Sequence, residues 1–74
     1  GDGIATILSK QNGVLAGVEY IKYIQDIADI EILFFKKDGE LIQNKDIVCE
    51  LRGNNKDLLS CERTILDILQ HASG

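Results

Sequence analysis

IVCELRGNNKDLLSCERTILDILQ, residues 47–70, changes its period half-way along. From 47 to 52 the side chains alternate: Ile47, Cys49 and Leu51 point one way, Val48, Glu50 and Arg52 the other. Period two is a β-strand, and it explains Cys49 as a core residue. From Leu58 the spacing becomes helical. At about 100° per residue, Leu58, Leu59, Cys61, Ile65, Leu66, Ile68 and Leu69 cover roughly half the circumference. Gly53-Asn54-Asn55 ends the strand and starts the helix, which runs to about His71 or Ala72. Asn54 or Asn55 can cap it, and Asp57 sits favourably near its positive end. A strand feeding a helix that is apolar over half its girth reads as α+β. Such a helix expects more than one packing partner.

Upstream, residues 30–35 form the strongest strand, with Ile30, Ile32 and Phe34 on one face. Lys36-Lys37-Asp38-Gly39 is a turn, and Asp-Gly is a hairpin signal. Residues 40–42 are a short apolar piece, followed by a turn at 44–46. Residues 3–10 read as the first strand, Gln11-Asn12-Gly13 as a turn, and Val14-Leu15-Ala16 as a short second strand. Gly17 opens a helix from Val18 to about Ala28. Tyr20, Ile21, Ile24, Ile27 and Ala28 share its apolar face, and Glu19, Lys22, Gln25 and Asp26 its wet side. The two tyrosines read as packed rings with solvated hydroxyls. The order is β-β-α-β-β(-β)-α, a small antiparallel sheet with helices on one side.

The 74 residues allow one small domain. A domain of this size hides only about 60% of its unfolded surface, so a covering partner or further chain would help it. A net charge of −4 with no Lys/Arg cluster disfavours nucleic acid. No apolar run approaches a membrane span, and no secretory signal is visible. Cys49 and Cys61 lack metal-ligand spacing beside a single histidine. They read as reduced core thiols of a cytoplasmic protein, with a disulfide between them as the alternative. The chain starts without methionine and stops at Ser73-Gly74, so residues 1–74 read as one domain cut from a longer chain.

Glu62 falls inside the apolar half of the last helix, flanked by Leu58, Ile65, Leu66 and Leu69. A carboxylate there costs several kcal/mol unless paired. Arg63 diverges from it by about 100° and cannot face it. Glu62 therefore finds a partner elsewhere in this chain or another subunit, or it bends out to water. Arg63 lies just outside the apolar edge, on the flank of Asp67 and Gln70. On pattern alone it is a solvated arginine with Asp67 one turn on. The residues alone give an interface signature with a charge pair at its margin.

Three stretches add a resemblance. Lys10-Gln11-Asn12-Gly13-Val14-Leu15-Ala16-Gly17 resembles the K-x-x-G-V-x-A-G stretch near the start of quinolinate phosphoribosyltransferases. Asp38-Gly39 with Leu51-Arg52-Gly53 is similar to their D-G … x-R-G segment. Residues 59–74, LSCERTILDILQHASG, look like their L-L-x-x-E-R-x-x-L-N-x-L-Q-x-x-S-G helix. Asp67 departs from the family's usual asparagine. The resemblance spans nearly the whole chain. It implies a hammerhead-like N-terminal α/β sandwich, normally followed by an incomplete α/β barrel that carries most of the active site. The reaction it implies joins quinolinate to phosphoribosyl pyrophosphate, with Mg²⁺ assisting, and gives nicotinate mononucleotide, pyrophosphate and CO2 for NAD biosynthesis. It further implies a homodimer or larger homo-oligomer in which this domain covers the neighbouring barrel. Arg63 then reaches the neighbour's substrate site, Glu62 is a structural buried carboxylate, and His71 lies close to the same region. The domain alone would be inactive, with no catalytic residue or metal ligand of its own.

Three rival readings differ. A molybdenum-transport-associated homologue shares the architecture, but its last helix tends to lack the Glu-Arg pair. Residues 37–48 are similar to the hairpin of biotinyl- or lipoyl-carriers, yet such a carrier usually sets its lysine between methionines, and this chain has none. A non-catalytic interaction module would keep the fold without the barrel.

Overall fold

A computed structural model describes residues 2–72. The elements run β1 (Asp2–Leu8), β2 (Gly13–Val14), α1 (Val18–Ile27), β3 (Ile30–Phe34), β4 (Leu41–Ile42), β5 (Ile47–Asn54) and α2 (Asn55–Ala72). The α+β order matches the sequence expectation. The single expected sheet is instead two. One is antiparallel with order β1-β5-β3, and the other is the short β2-β4 pair.

β5 is the central strand and fixes the register. Ala5, Leu51 and Ile32 lie abreast, as do Ile7, Cys49 and Phe34, and this face turns to the helices. Ile7, Leu51 and Cys49 are among the most deeply buried side chains, together with Ile21 of α1 and Ile65 of α2. Ile4, Arg52 and Glu31 lie abreast on the outer face, followed by Thr6, Glu50 and Leu33. α2 packs on β1 and β5, and α1 packs on β3 and α2.

The expected alternation of β5 fails at one place. Ile7 pairs with Cys49, but Leu8 pairs with Ile47, so Val48 is an extra residue. This bulge turns both Val48 and Cys49 inward and leaves Ile47 exposed, where strict alternation would bury Ile47.

The Asp38-Gly39 signal marks a turn but not a β3–β4 hairpin, because β4 pairs with β2. The second strand is also shorter than expected and starts one residue earlier, at Gly13. Leu15 still donates its N–H to the Glu40 carbonyl at 2.9 Å. Asp38 has another task. Its Oδ1 accepts the Val18 N–H at 2.8 Å and its Oδ2 the Glu19 N–H at 3.3 Å. It thereby caps α1, whose own N-cap, Gly17, has no side chain and sits at φ 104°.

Both helices are barer than their patterns suggest. On α1, Val18 and Ile21 are buried, but Tyr20 is 73% and Ile27 86% exposed. Gln25, expected to face water, accepts the Ile32 N–H at 3.0 Å and so serves the outer edge of β3. On α2, Leu58, Cys61, Ile65 and Leu69 are buried, whereas Leu59 is 68% exposed. Asn54 caps α2 reciprocally. Its Oδ1 accepts the Asp57 N–H, and its Nδ2 donates to Asp57 Oδ2, both at 3.0 Å. Cys49 and Cys61 are buried free thiols, so no disulfide joins them. No described helix is long and apolar enough to cross a membrane.

Candidate functional site on the outer line of α2

The spacing of α2 separates its two adjacent charges. Ile65 is fully buried and sets the core direction, so Arg63, two residues earlier, points outward and is exposed. Glu62 is half-buried at the shoulder of the packed face, rather than enclosed as the buried carboxylate of the sequence reading. Among the described residues, neither Glu62 nor Arg63 makes an ion pair, and Asp67, one turn after Arg63, does not close onto it. The guanidinium therefore keeps its full fork of donors for a ligand from outside the chain.

Leu59 lies one turn before Arg63 on the same side and is also bare. The sequence groups Leu59 with the apolar half of the helix that reads as an interface, and the structure leaves it outside the packed part of that half. His71 is eight residues past Arg63, about 12 Å along the axis and roughly 80° around it. The helix does not bring the two onto one line. The His71 Nδ1 lies 2.8 Å from the Asp67 carbonyl. A carbonyl only accepts, so Nδ1 is the donor in this contact.

Cys49 and Cys61 offer no nucleophile at neutral pH. Burial pushes the Cys49 thiol up to about 12, and burial with the nearby Asp57 charge also raises Cys61. Among the described residues no three His, Cys, Asp or Glu side chains converge to hold a metal ion.

Arg63 is thus exposed and without an ion-pair partner among the described residues, on the helix that follows the bulged central strand. The family model described as "Quinolinate phosphoribosyl transferase, N-terminal domain" matches residues 2–73. The chain belongs to that family. A protein of Archaeoglobus fulgidus named "Probable nicotinate-nucleotide pyrophosphorylase (carboxylating)" is 46% identical over 70 residues. That match covers 95% of this chain and 27% of the relative. A Bacillus subtilis protein of the same name is 35% identical over 72 residues, covering 95% of this chain and 25% of the relative. The crystal structure of NadC from Streptococcus pyogenes superposes with TM-score 0.84 at 32% identity, over 96% of this chain and 27% of that one. The nicotinate-nucleotide pyrophosphorylase of Francisella tularensis gives 0.85 at 27% identity, over 93% of this chain and 25% of that one.

The chain thus spans about a quarter of the length of these relatives. Its fold is that of the N-terminal domain of the quinolinate phosphoribosyltransferase family, whose members carry transferase names. The match includes residues 37–48, which resembled a carrier hairpin in isolation. In the structure the end of that stretch enters the bulged strand β5.

Proposed function

We propose that this chain is the domain by which a quinolinate phosphoribosyltransferase covers the substrate site of a neighbouring subunit in a homodimer or larger homo-oligomer. The observation that carries the reading is Arg63, exposed on α2 and without an ion-pair partner among the described residues, although Glu62 and Asp67 flank it. Quinolinate is a dicarboxylate, and a planar guanidinium binds a carboxylate through two charge-assisted hydrogen bonds. Arg63 then orients quinolinate for attack on phosphoribosyl pyrophosphate, while residues outside this chain perform the transfer and decarboxylation. Bare Leu59 packs at the rim of that contact and helps to exclude water from it. Glu62 holds the shoulder of the helix, and His71 stands at the periphery.

Mg²⁺ belongs to the reaction of the whole protein. Among the described residues no cluster of three His, Cys, Asp or Glu side chains offers it a site. The two free thiols suit a reducing compartment, and the cytoplasm is the proposed location.

The test is Arg63→Ala in a full-length protein. Loss of a charge-assisted pair lowers kcat/KM for quinolinate by roughly 10- to 100-fold. The thermal midpoint stays put, because the side chain contacts solvent. Unchanged kinetics would remove Arg63 from the site and this reading with it.

A further inference from the structure

The C-terminal half of α2 borders a cleft that neither the packing nor the Arg63 contact uses. It has a volume of about 350 Å³ and lies between α2, the end of β1 and the small β2-β4 sheet. Ile42, Val48, Leu66 and Leu69 form its floor, and Lys10 and Gln70 stand at its rim. The β5 bulge creates part of this floor by turning Val48 inward.

The rim is held firmly. Ser9 is buried, its N–H donates to the Asp46 carbonyl at 2.8 Å, and its carbonyl accepts the Lys45 N–H at 2.7 Å. Its Oγ donates to the Gln11 carbonyl at 2.6 Å. Lys10 extends from this fixed backbone. In a chain of net charge −4, Lys10 supplies the one formal charge in the cleft lining, and it has no ion-pair partner among the described residues. A single unpaired ammonium over an apolar floor complements one negative charge on an apolar body. At roughly the 30 Å³ that a water molecule occupies in the liquid, the cleft has room for about ten non-hydrogen atoms.

We infer that this cleft binds a small amphipathic monocarboxylate. Its carboxylate meets the Lys10 ammonium with the Gln70 amide beside it, and its hydrocarbon part lies on Val48, Leu66 and Leu69. Arg63 is not among the residues that line the cleft, so this site is separate from the dicarboxylate contact proposed there.

The experiment is a methyl-detected NMR titration of this chain with hexanoate, with 1-hexanol as the neutral control. Saturable shifts concentrated on Ile42, Val48, Leu66 and Leu69 are expected. Lys10→Gln, a change at an exposed side chain, weakens hexanoate roughly ten-fold and leaves hexanol unaffected. Absence of saturable shifts overturns the inference. So does equal binding of hexanoate to the Lys10→Gln chain, or of hexanol and hexanoate to the native chain, since either reduces the cleft to a greasy surface. Hexanoate binding that survives in Arg63→Ala separates this site from the proposed substrate contact, whatever that variant does to turnover.

Discussion

The carboxylate of Asp38 accepts the Val18 and Glu19 N–H groups from 20 and 19 residues away. Replacing it by alanine returns two amides at the start of α1 to water, and a lost cap costs about 1 kcal/mol. Urea denaturation of Asp38→Ala should show that loss. Asp38→Asn keeps one acceptor oxygen and should recover part of it. The Asp-Gly dipeptide was legible as a turn, but this role was not, because a cap from a distant loop leaves no local pattern at Gly17. Cys49 makes a second residue-scale prediction. Its thiol ionises near 9.0 in the ordinary case and near about 12 when folded. Below pH 9 both states keep the proton, and the stability is complete. Between those values the unfolded chain releases the proton and the folded chain does not, so stability falls as pH rises. The alkaline side of the denaturation profile should flatten in Cys49→Ala. An equal alkaline slope in that variant would show that Cys49 is not its source.

The two helices and the strands β1, β3 and β5 were readable in the sequence, whereas the bounds of the two-residue strands β2 and β4 were not placed by it, nor was which apolar residues are covered. The wheel of α2 groups Leu59 with Ile65, yet Ile65 is fully buried and Leu59 is 68% exposed. The difference comes from width: β1, β5 and α1 pack on α2, and together they cover less than its apolar half. Removing Ile65 side-chain atoms leaves a cavity, and Ile65→Ala should cost about 2–5 kcal/mol. Leu59→Ser should stay within about 0.5 kcal/mol in this chain. A chemical-denaturation comparison of the two variants tests the packing directly. A similar large cost at both sites would mean that Leu59 is covered. In β5 the same limit appears as the bulge. The register of Ile47 and Val48 depends on pairing with β1, and no single-strand pattern records an inserted residue. The Glu-Arg pair was the most legible part of the candidate site, since its motif is local. The bare Leu59 beside it and the firm rim of the Lys10 cleft depend on tertiary packing.

Across the whole molecule, stability is concentrated along one axis. β5 is hydrogen-bonded on both sides and supplies Val48, Cys49 and Leu51 to the core, against Ile65 of α2. α1 sits at the margin. It buries only Val18 and Ile21 within its span, is capped by another segment, and exposes Tyr20, Tyr23 and Ile27. Opening α1 therefore exposes little additional apolar surface, whereas opening β5 disassembles both β1 and β3 pairings. Native-state hydrogen exchange should follow that difference. The amides of residues 49–52 and of the α2 turn around Ile65 should exchange by global unfolding, with the slowest rates in the chain. Those of α1 after its first turn should exchange by a lower-energy local opening, and Asp38→Ala should accelerate them while leaving the β5 amides tied to the global transition. Equal protection in α1 and β5 would show that the domain opens as one cooperative unit. The alternative, a rigid sheet with a weakly held first helix, keeps α2, which carries Arg63, on the stable part of the fold.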